Sequence, residues 1–204
     1  CIRCLSIPRQ RAIVKAVYEY APAWGNLRIF EPGPGGASSD FLRRKAKNYC
    51  CSQYFPDAES GTEINGYRCE NLEDLSFEDS VFDLVITQDV MEHVFNPAAA
   101  FAEIGRVLKP GGLYIFTVPC RFDRTWSEAR AVLKDDEIEH IKPPEYHKNP
   151  IAESGSLVTI DYGRDLPWLV DKWSGLKTLI VRERDSHYGL DGEYLDVFVC
   201  RKAE

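Results

Sequence analysis

No run of apolar residues in this sequence approaches the roughly 20 that a membrane-spanning helix requires. Stretches such as Leu113 to Pro119 are far shorter, and no membrane span is expected. An excess of basic residues is also missing: 25 Lys and Arg face 32 Asp and Glu, a formal net charge of −7. That balance lacks the positive field by which proteins hold nucleic acid or anionic membrane non-specifically, so a small or neutral partner fits better. Low-complexity and repetitive tracts are absent, and with 44% hydrophobic and 28% charged residues the chain is expected to fold throughout. The sequence starts without Met and without a signal-like apolar segment, so it reads as a processed or trimmed piece whose true N-terminus lies upstream.

A secreted disulfide framework is lacking as well. Of seven cysteines, Cys50, Cys51 and Cys200 fall in strand-like apolar runs, and Cys69 and Cys120 lie near expected strand ends. This scatter points to a reducing, cytoplasmic setting. Cys1 and Cys4 form a C-x-x-C knuckle, which is half of a tetrahedral zinc site; the other half would have to precede residue 1. Two exposed terminal thiols and a zinc-knuckle remnant both stand as readings.

What is present is an alternation of strands and helices over 204 residues, enough for one compact domain. Ile7, Ile13, Val14, Val17 and Tyr18 recur at helical spacing until Pro22. Leu27 to Phe30 is a short strand that breaks into Glu31-Pro32-Gly33-Pro34-Gly35-Gly36, after which Ser38 or Ser39 is expected to cap a helix. Asn48 to Tyr54 reads as the second strand, and residues 56–66 as irregular. The β-branched run Phe82 to Thr87 suits a buried parallel strand. A helix opened by Asn96-Pro97 runs to Leu108, Lys109-Pro110-Gly111-Gly112 ends it, and Leu113 to Val118 is the next strand. Asp165 to Trp173 reads as helical, and Leu176 to Glu183 with Glu193 to Cys200 as a terminal hairpin. The fold class is therefore α/β, doubly wound and Rossmann-like, with a mostly parallel sheet and an antiparallel strand from the C-terminal hairpin.

Ligands of open α/β sheets bind beyond the carboxyl ends of the strands. Gly33, Gly35 and Gly36 let the backbone turn tightly and approach a ligand, or serve as a tight structural turn alone. Glu31 ahead of them suits a cationic or hydroxylated ligand and would repel a pyrophosphate. Together with Leu75 to Val94, which contains Phe82-Asp83-Leu84-Val85-Ile86, and with Arg106-Val107-Leu108-Lys109-Pro110-Gly111-Gly112, these residues resemble class I S-adenosylmethionine-dependent methyltransferases of the type 11 kind, in order and in spacing. The resemblance implies a seven-stranded sheet. It implies one domain over 1–204, with 1–25 leading, 26–119 holding the cofactor, and 120–204 carrying an acceptor-side insertion and the closing hairpin.

Carried over residue by residue, the resemblance implies that Glu31, Pro32, Gly33 and Gly35 surround the methionine part of S-adenosylmethionine. Ser52, Gln53 and Tyr54 occupy the place of the ribose contacts, where the family usually has an acid and this chain has Gln53. Asn71 and Leu72 bracket the adenine, or belong to an ordinary acidic loop. Gln88 and Asp89 line the reaction centre, at which S-adenosylhomocysteine is left as product. Asp89, His93 and His147 are the candidates for catalysis, with a packed structural histidine as the plainer reading of His93. The proline-stiffened stretch His140 to His147 borders the expected acceptor pocket or forms a lid without chemistry; a metal site from His140, Glu145 and His147 is the remotest reading, and no metal is assigned. The same stretch, with Arg9-Gln10-Arg11, is similar to bacterial methyltransferases that accompany glycan-building enzymes, which implies a small-molecule or glycan acceptor. The alternatives are a non-catalytic methyltransferase-like scaffold and an NAD(P)-dependent oxidoreductase, the latter opposed by the missing third spaced glycine. The oligomeric state is not legible.

Overall fold

A computed structural model describes residues 5–148 and 155–204. Cys1 and Cys4, and with them the zinc-knuckle reading, lie outside the described residues. Helix α1 (Pro8–Tyr20) opens on a proline and buries Ala12, Ile13, Ala16 and Val17 along one stripe. A single 3₁₀ turn (Trp24–Asn26) leads into β1 (Arg28–Pro32), the glycine turn, and α2 (Gly36–Lys45). Strands β2 (Asn48–Gln53), β3 (Glu63–Ile64), β4 (Tyr67–Cys69) and β5 (Phe82–Gln88) follow, then a 3₁₀ turn (Met91–His93), α3 (Pro97–Val107) and β6 (Leu108–Thr117).

The main sheet has the order β6-β5-β1-β2-β4-β3 through this half, with β1, β2, β4, β5 and β6 parallel. The expected closing hairpin consists of β13 (Lys177–Val181) and β14 (Val197–Arg201), and β14 pairs antiparallel with β6. The sheet is mostly parallel and Rossmann-like, as read from the sequence, with eight strands in place of seven. The eighth is β3, a two-residue edge that turns back on β4 through Asn65-Gly66, both at positive φ. Asn-Gly favours this two-residue hairpin turn because both central positions require left-handed backbone.

Side chains alternate across the sheet, and each face has its own core. Phe30, Phe82, Val85, Tyr114, Phe116 and Phe198 pack beneath α3 and beneath α4 (Leu166–Ser174). Ile29, Leu84, Ile86, Ile115 and Val199 pack beneath α1 and α2. Because β1 pairs β2 on one side and β5 on the other, the crossovers diverge at β1, and in open α/β sheets ligands bind at such a point, beyond the carboxyl ends of the strands.

The described residues of 120–148 and 155–162 form three short ribbons in a stretch with no regular pattern in the sequence. They pair β7 (Glu128–Ala129) with β12 (Ile160–Asp161), β8 (Ala131–Lys134) with β9 (Glu137–His140), and β10 (Tyr146–His147) with β11 (Ser156–Leu157). Asp161 ties them together: its carboxylate lies 2.9 Å from Lys142, 3.2 Å from Arg130 and 3.4 Å from Arg124. Burial pushes this carboxyl upward, but Lys142 and Arg130 more than offset that and hold it below the ordinary 3.8. A depressed acid contributes stability above its ordinary value and loses it as the pH falls through the folded one. Asp161→Asn is therefore expected to cost about 2 kcal/mol at neutral pH, since it strands partly buried cations. The gap between wild type and variant in denaturant titrations is expected to shrink below about pH 4.

No helix among the described residues is long and apolar enough to cross a membrane.

Candidate active site

The candidate site is built around Glu31 near the end of β1, a carboxylate fully shielded from solvent. Three elements supply its donors: Ser39 Oγ of α2 at 2.5 Å, Tyr49 Oη of β2 at 2.6 Å, and Gln88 Nε2 of β5 at 2.7 Å. All three are neutral. Burial pushes the Glu31 carboxyl above its ordinary range, and the three hydrogen bonds pull it back. Such a group gains from a positively charged ligand that reaches it without water.

The glycine turn follows directly. Gly33 has φ +65°, its amide donates to the Ser52 carbonyl at 2.9 Å, and a Cβ there would stand 2.9 Å from Val90 Cγ2. The backbone of Gly35 caps α2, and its amide donates to Ser39 Oγ. The sequence placed a serine at that cap. Instead, both serines sit inside the first turns and look inward, Ser39 to Glu31 and Ser38 to Gln88 Oε1 at 2.6 Å. The Gln88 amide, read as lining the reaction centre, thus bonds at both ends and clamps α2 to β1 and β5.

Pro32 lies at the end of β1, paired in register with Ser52 of β2. Ser52 Oγ is buried and without a hydrogen-bond partner among the described residues. The Gln53 carbonyl accepts from the Glu70 amide, and Tyr54 beyond it is exposed. Asn71 turns back on its own loop by accepting from the Glu73 amide, and Leu72 packs with the main core. Sequence reasoning passed over Ser39 and Tyr49, whose role depends on spatial neighbours 8 and 18 positions away.

Asp89 follows β5 at φ +52°, a conformation few non-glycine residues adopt without function or strain. One oxygen lies 3.1 Å from Arg9 of α1, and the other accepts from Thr117 Oγ1. Burial, then the charge of Glu92, push this carboxyl upward. Three residues on, Glu92 is 2% exposed, and neither carboxylate oxygen receives a hydrogen bond from any described residue. His93 Nε2 stands 3.7 Å from Glu92 Oε1, and His147 Nδ1 stands 3.5 Å from the same oxygen. Glu92 holds the His147 imidazole above its ordinary value.

The insertion brings His147 there. Thr159 donates from its amide to the Glu92 carbonyl and from its hydroxyl to the Val94 carbonyl, and Tyr162 Oη bonds the Met91 carbonyl. The β10–β11 ribbon is thereby laid over the Met91–His93 turn, with the two imidazoles edge to face, 5.1 Å between centroids. His140 sits apart on β9, exposed, and does not join the group.

A family profile described as a methyltransferase domain matches residues 32–116. The chain is similar to a glycine/sarcosine/dimethylglycine N-methyltransferase of Actinopolyspora halophila, 27% identical, over 78% of this chain and 32% of that one. It is also similar to a ubiquinone biosynthesis O-methyltransferase of Xylella fastidiosa, strain M23, 31% identical, over 45% of this chain and 42% of the relative. The chain thus spans less than half the length of these relatives. Among solved structures, an S-adenosylmethionine-bound amino pentose methyltransferase of Micromonospora echinaspora superposes with TM-score 0.62 at 14% identity, covering 97% of this chain and 92% of that one. An S-adenosylmethionine-dependent methyltransferase of Mesorhizobium loti superposes with TM-score 0.59 at 18% identity, over 94% and 98%.

Proposed function

We propose that the chain, whose residues 32–116 match a methyltransferase-domain profile, transfers a methyl group from S-adenosylmethionine to a small-molecule acceptor seated beneath the β10–β11 ribbon. The observation that carries the reading is Glu31: a fully buried carboxylate with neutral donors, beside a left-handed glycine, at the point where the sheet's crossovers diverge. A ligand with an ammonium group supplies the charge this carboxylate lacks. The partnerless Ser52 hydroxyl, one strand over, is a further polar atom suited to a hydroxyl-bearing ligand.

When bound, the cofactor supplies an electrophilic methyl on a sulfonium, and in-line displacement leaves S-adenosylhomocysteine. The chain's part is alignment and exclusion of water. Glu31 and the backbone at Pro32, Gly33 and Gly35 would hold the methionine end, Ser52, Gln53 and Tyr54 the ribose, and Asn71 and Leu72 the base. Gln88 positions Glu31. Asp89, just after β5, would take the proton that an amine or hydroxyl acceptor releases, while His93 and His147 would orient that acceptor. The curated relatives named above are an N-methyltransferase and an O-methyltransferase, so nitrogen and oxygen acceptors both enter the test; a glycan-type acceptor has no separate support in the site.

The test incubates the chain with methyl-labelled S-adenosylmethionine and a panel of small amines, amino acids and phenols. Label is expected in one acceptor class, with turnover at least tenfold lower in Asp89→Asn at unchanged cofactor affinity. Cofactor binding without label transfer to any acceptor would favour the scaffold reading.

A further inference from the structure

Glu92 poses a problem that the methyl-transfer reading does not solve. Its side chain is 2% exposed, yet neither oxygen receives a hydrogen bond from any described residue, an arrangement that costs several kcal/mol unless a cation compensates. The groups facing it are imidazole nitrogens at 3.5 and 3.7 Å, too long for hydrogen bonds and too close for water to enter between. His93 Nδ1 lies 2.8 Å from the Leu157 carbonyl, an acceptor, so that nitrogen carries the proton. In the neutral ring the Nε2 that faces Glu92 presents a lone pair, and a lone pair opposite a carboxylate calls for a positive charge between them.

The spacing suits a metal ion. Two ligands each about 2.1 Å from a tetrahedral ion stand about 3.4 Å apart. One oxygen of Glu92 and one nitrogen from each histidine all lie within 4.8 Å of one another. The outer contacts also match a metal site: His93 is fixed through its far nitrogen by a backbone carbonyl, and His147 Nε2 faces Glu145 at 3.6 Å. Ligating histidines are commonly oriented in this way.

We propose that Glu92, His93 and His147 bind a divalent first-row transition-metal cation through one carboxylate oxygen and two imidazole nitrogens. Two nitrogens and one oxygen suit zinc, cobalt, nickel or iron better than magnesium or calcium. Three protein ligands leave a position for water or for an oxygen of the acceptor. Resting on the methyl-transfer reading, this makes an oxygen-bearing acceptor the class that the site would orient beside Asp89. The sequence assigned no metal, because the ligands join a turn after β5 to a ribbon more than 50 positions later and His140, the histidine nearest His147 in sequence, lies elsewhere.

The test uses the full chain with Cys1→Ser and Cys4→Ser, so that terminal thiols do not capture the ion. After stripping with a chelator, it is titrated with Co²⁺ by visible absorption, then with Zn²⁺ in competition. One Co²⁺ per chain is expected, displaced by Zn²⁺, with affinity at least about tenfold lower in Glu92→Gln and in His147→Ala, and unchanged in His140→Ala. Unfolding temperatures verify that the variants are folded. Co²⁺ held equally well by the parent and by folded Glu92→Gln, or held by neither, would overturn the proposal. The readout is bound metal, so a chain that binds Co²⁺ but transfers no methyl keeps this site and loses the functional reading, and the converse result does the opposite.

Discussion

Replacing Gly33 with Val is expected to abolish measurable S-adenosylmethionine binding and to lower the unfolding temperature by about 6–12 °C, equivalent to about 3 kcal/mol in a domain of this size. Two costs add. A side chain at φ +65° pays about 1–2 kcal/mol for left-handed backbone, and more when it is β-branched. The new Cβ would also stand 2.9 Å from Val90 Cγ2, well inside the 3.5–4.0 Å at which carbon atoms rest. Val90 lies between Asp89 and the Met91–His93 turn, so relieving the clash moves the acceptor side as well. Gly111→Ala is the matched control. Its φ is +74° and nothing lies within 4 Å of its Cβ, so it pays the backbone cost alone, and cofactor affinity is expected to be unchanged. Calorimetric titration of both variants separates the effects: wild-type affinity in Gly33→Val would mean that the turn does not cradle the cofactor.

Glu31→Gln is expected to weaken cofactor binding by about ten- to a hundredfold, the scale of a charge-assisted hydrogen bond of about 1.5–3 kcal/mol, without lowering the stability of the ligand-free chain. The amide keeps an acceptor for Ser39 or Tyr49 and removes a charge that burial disfavours. The sign of the pH effect follows from the raised carboxyl. Once the pH exceeds the ordinary 4.5, the folded state pays to ionise Glu31 while the unfolded state does not, and the cost grows until the pH passes the folded value. The variant pays nothing over that range, so its stability relative to wild type is expected to rise with pH. Denaturant titrations of both chains at several pH values read this directly, and a fall would show that the ionised carboxylate stabilises the empty fold.

The parallel strands were legible because burial on both faces leaves runs such as Phe82 to Ile86 with little polar interruption. The Glu31 turn was legible because proline and glycine break such a run abruptly. The clamp around Glu31 was not: Ser39, Tyr49 and Gln88 are unremarkable in sequence and acquire meaning only when three elements converge. Propensity also misplaced the α2 cap. The serine hydroxyls that would have served there are drawn inward by Glu31 and Gln88, and Gly35 opens the helix instead. Residues 56–66 read as irregular because turn residues crowd them, and the β3–β4 hairpin inside that stretch turns on Asn65-Gly66 between strands of only two and three residues. The approach of His147 to Glu92 depends on the ribbons of residues 128–161, which are two to four residues long and held by Asp161 and Thr159 rather than by a hydrophobic period.

The most direct measurement is calorimetric titration of the chain with S-adenosylmethionine and S-adenosylhomocysteine, with NADH as control. The arrangement at Glu31 and Gly33 predicts one site per chain, micromolar or tighter for both sulfur compounds, and no heat with NADH. A folded chain that binds neither sulfur compound, or that binds NADH in their place, would contradict it.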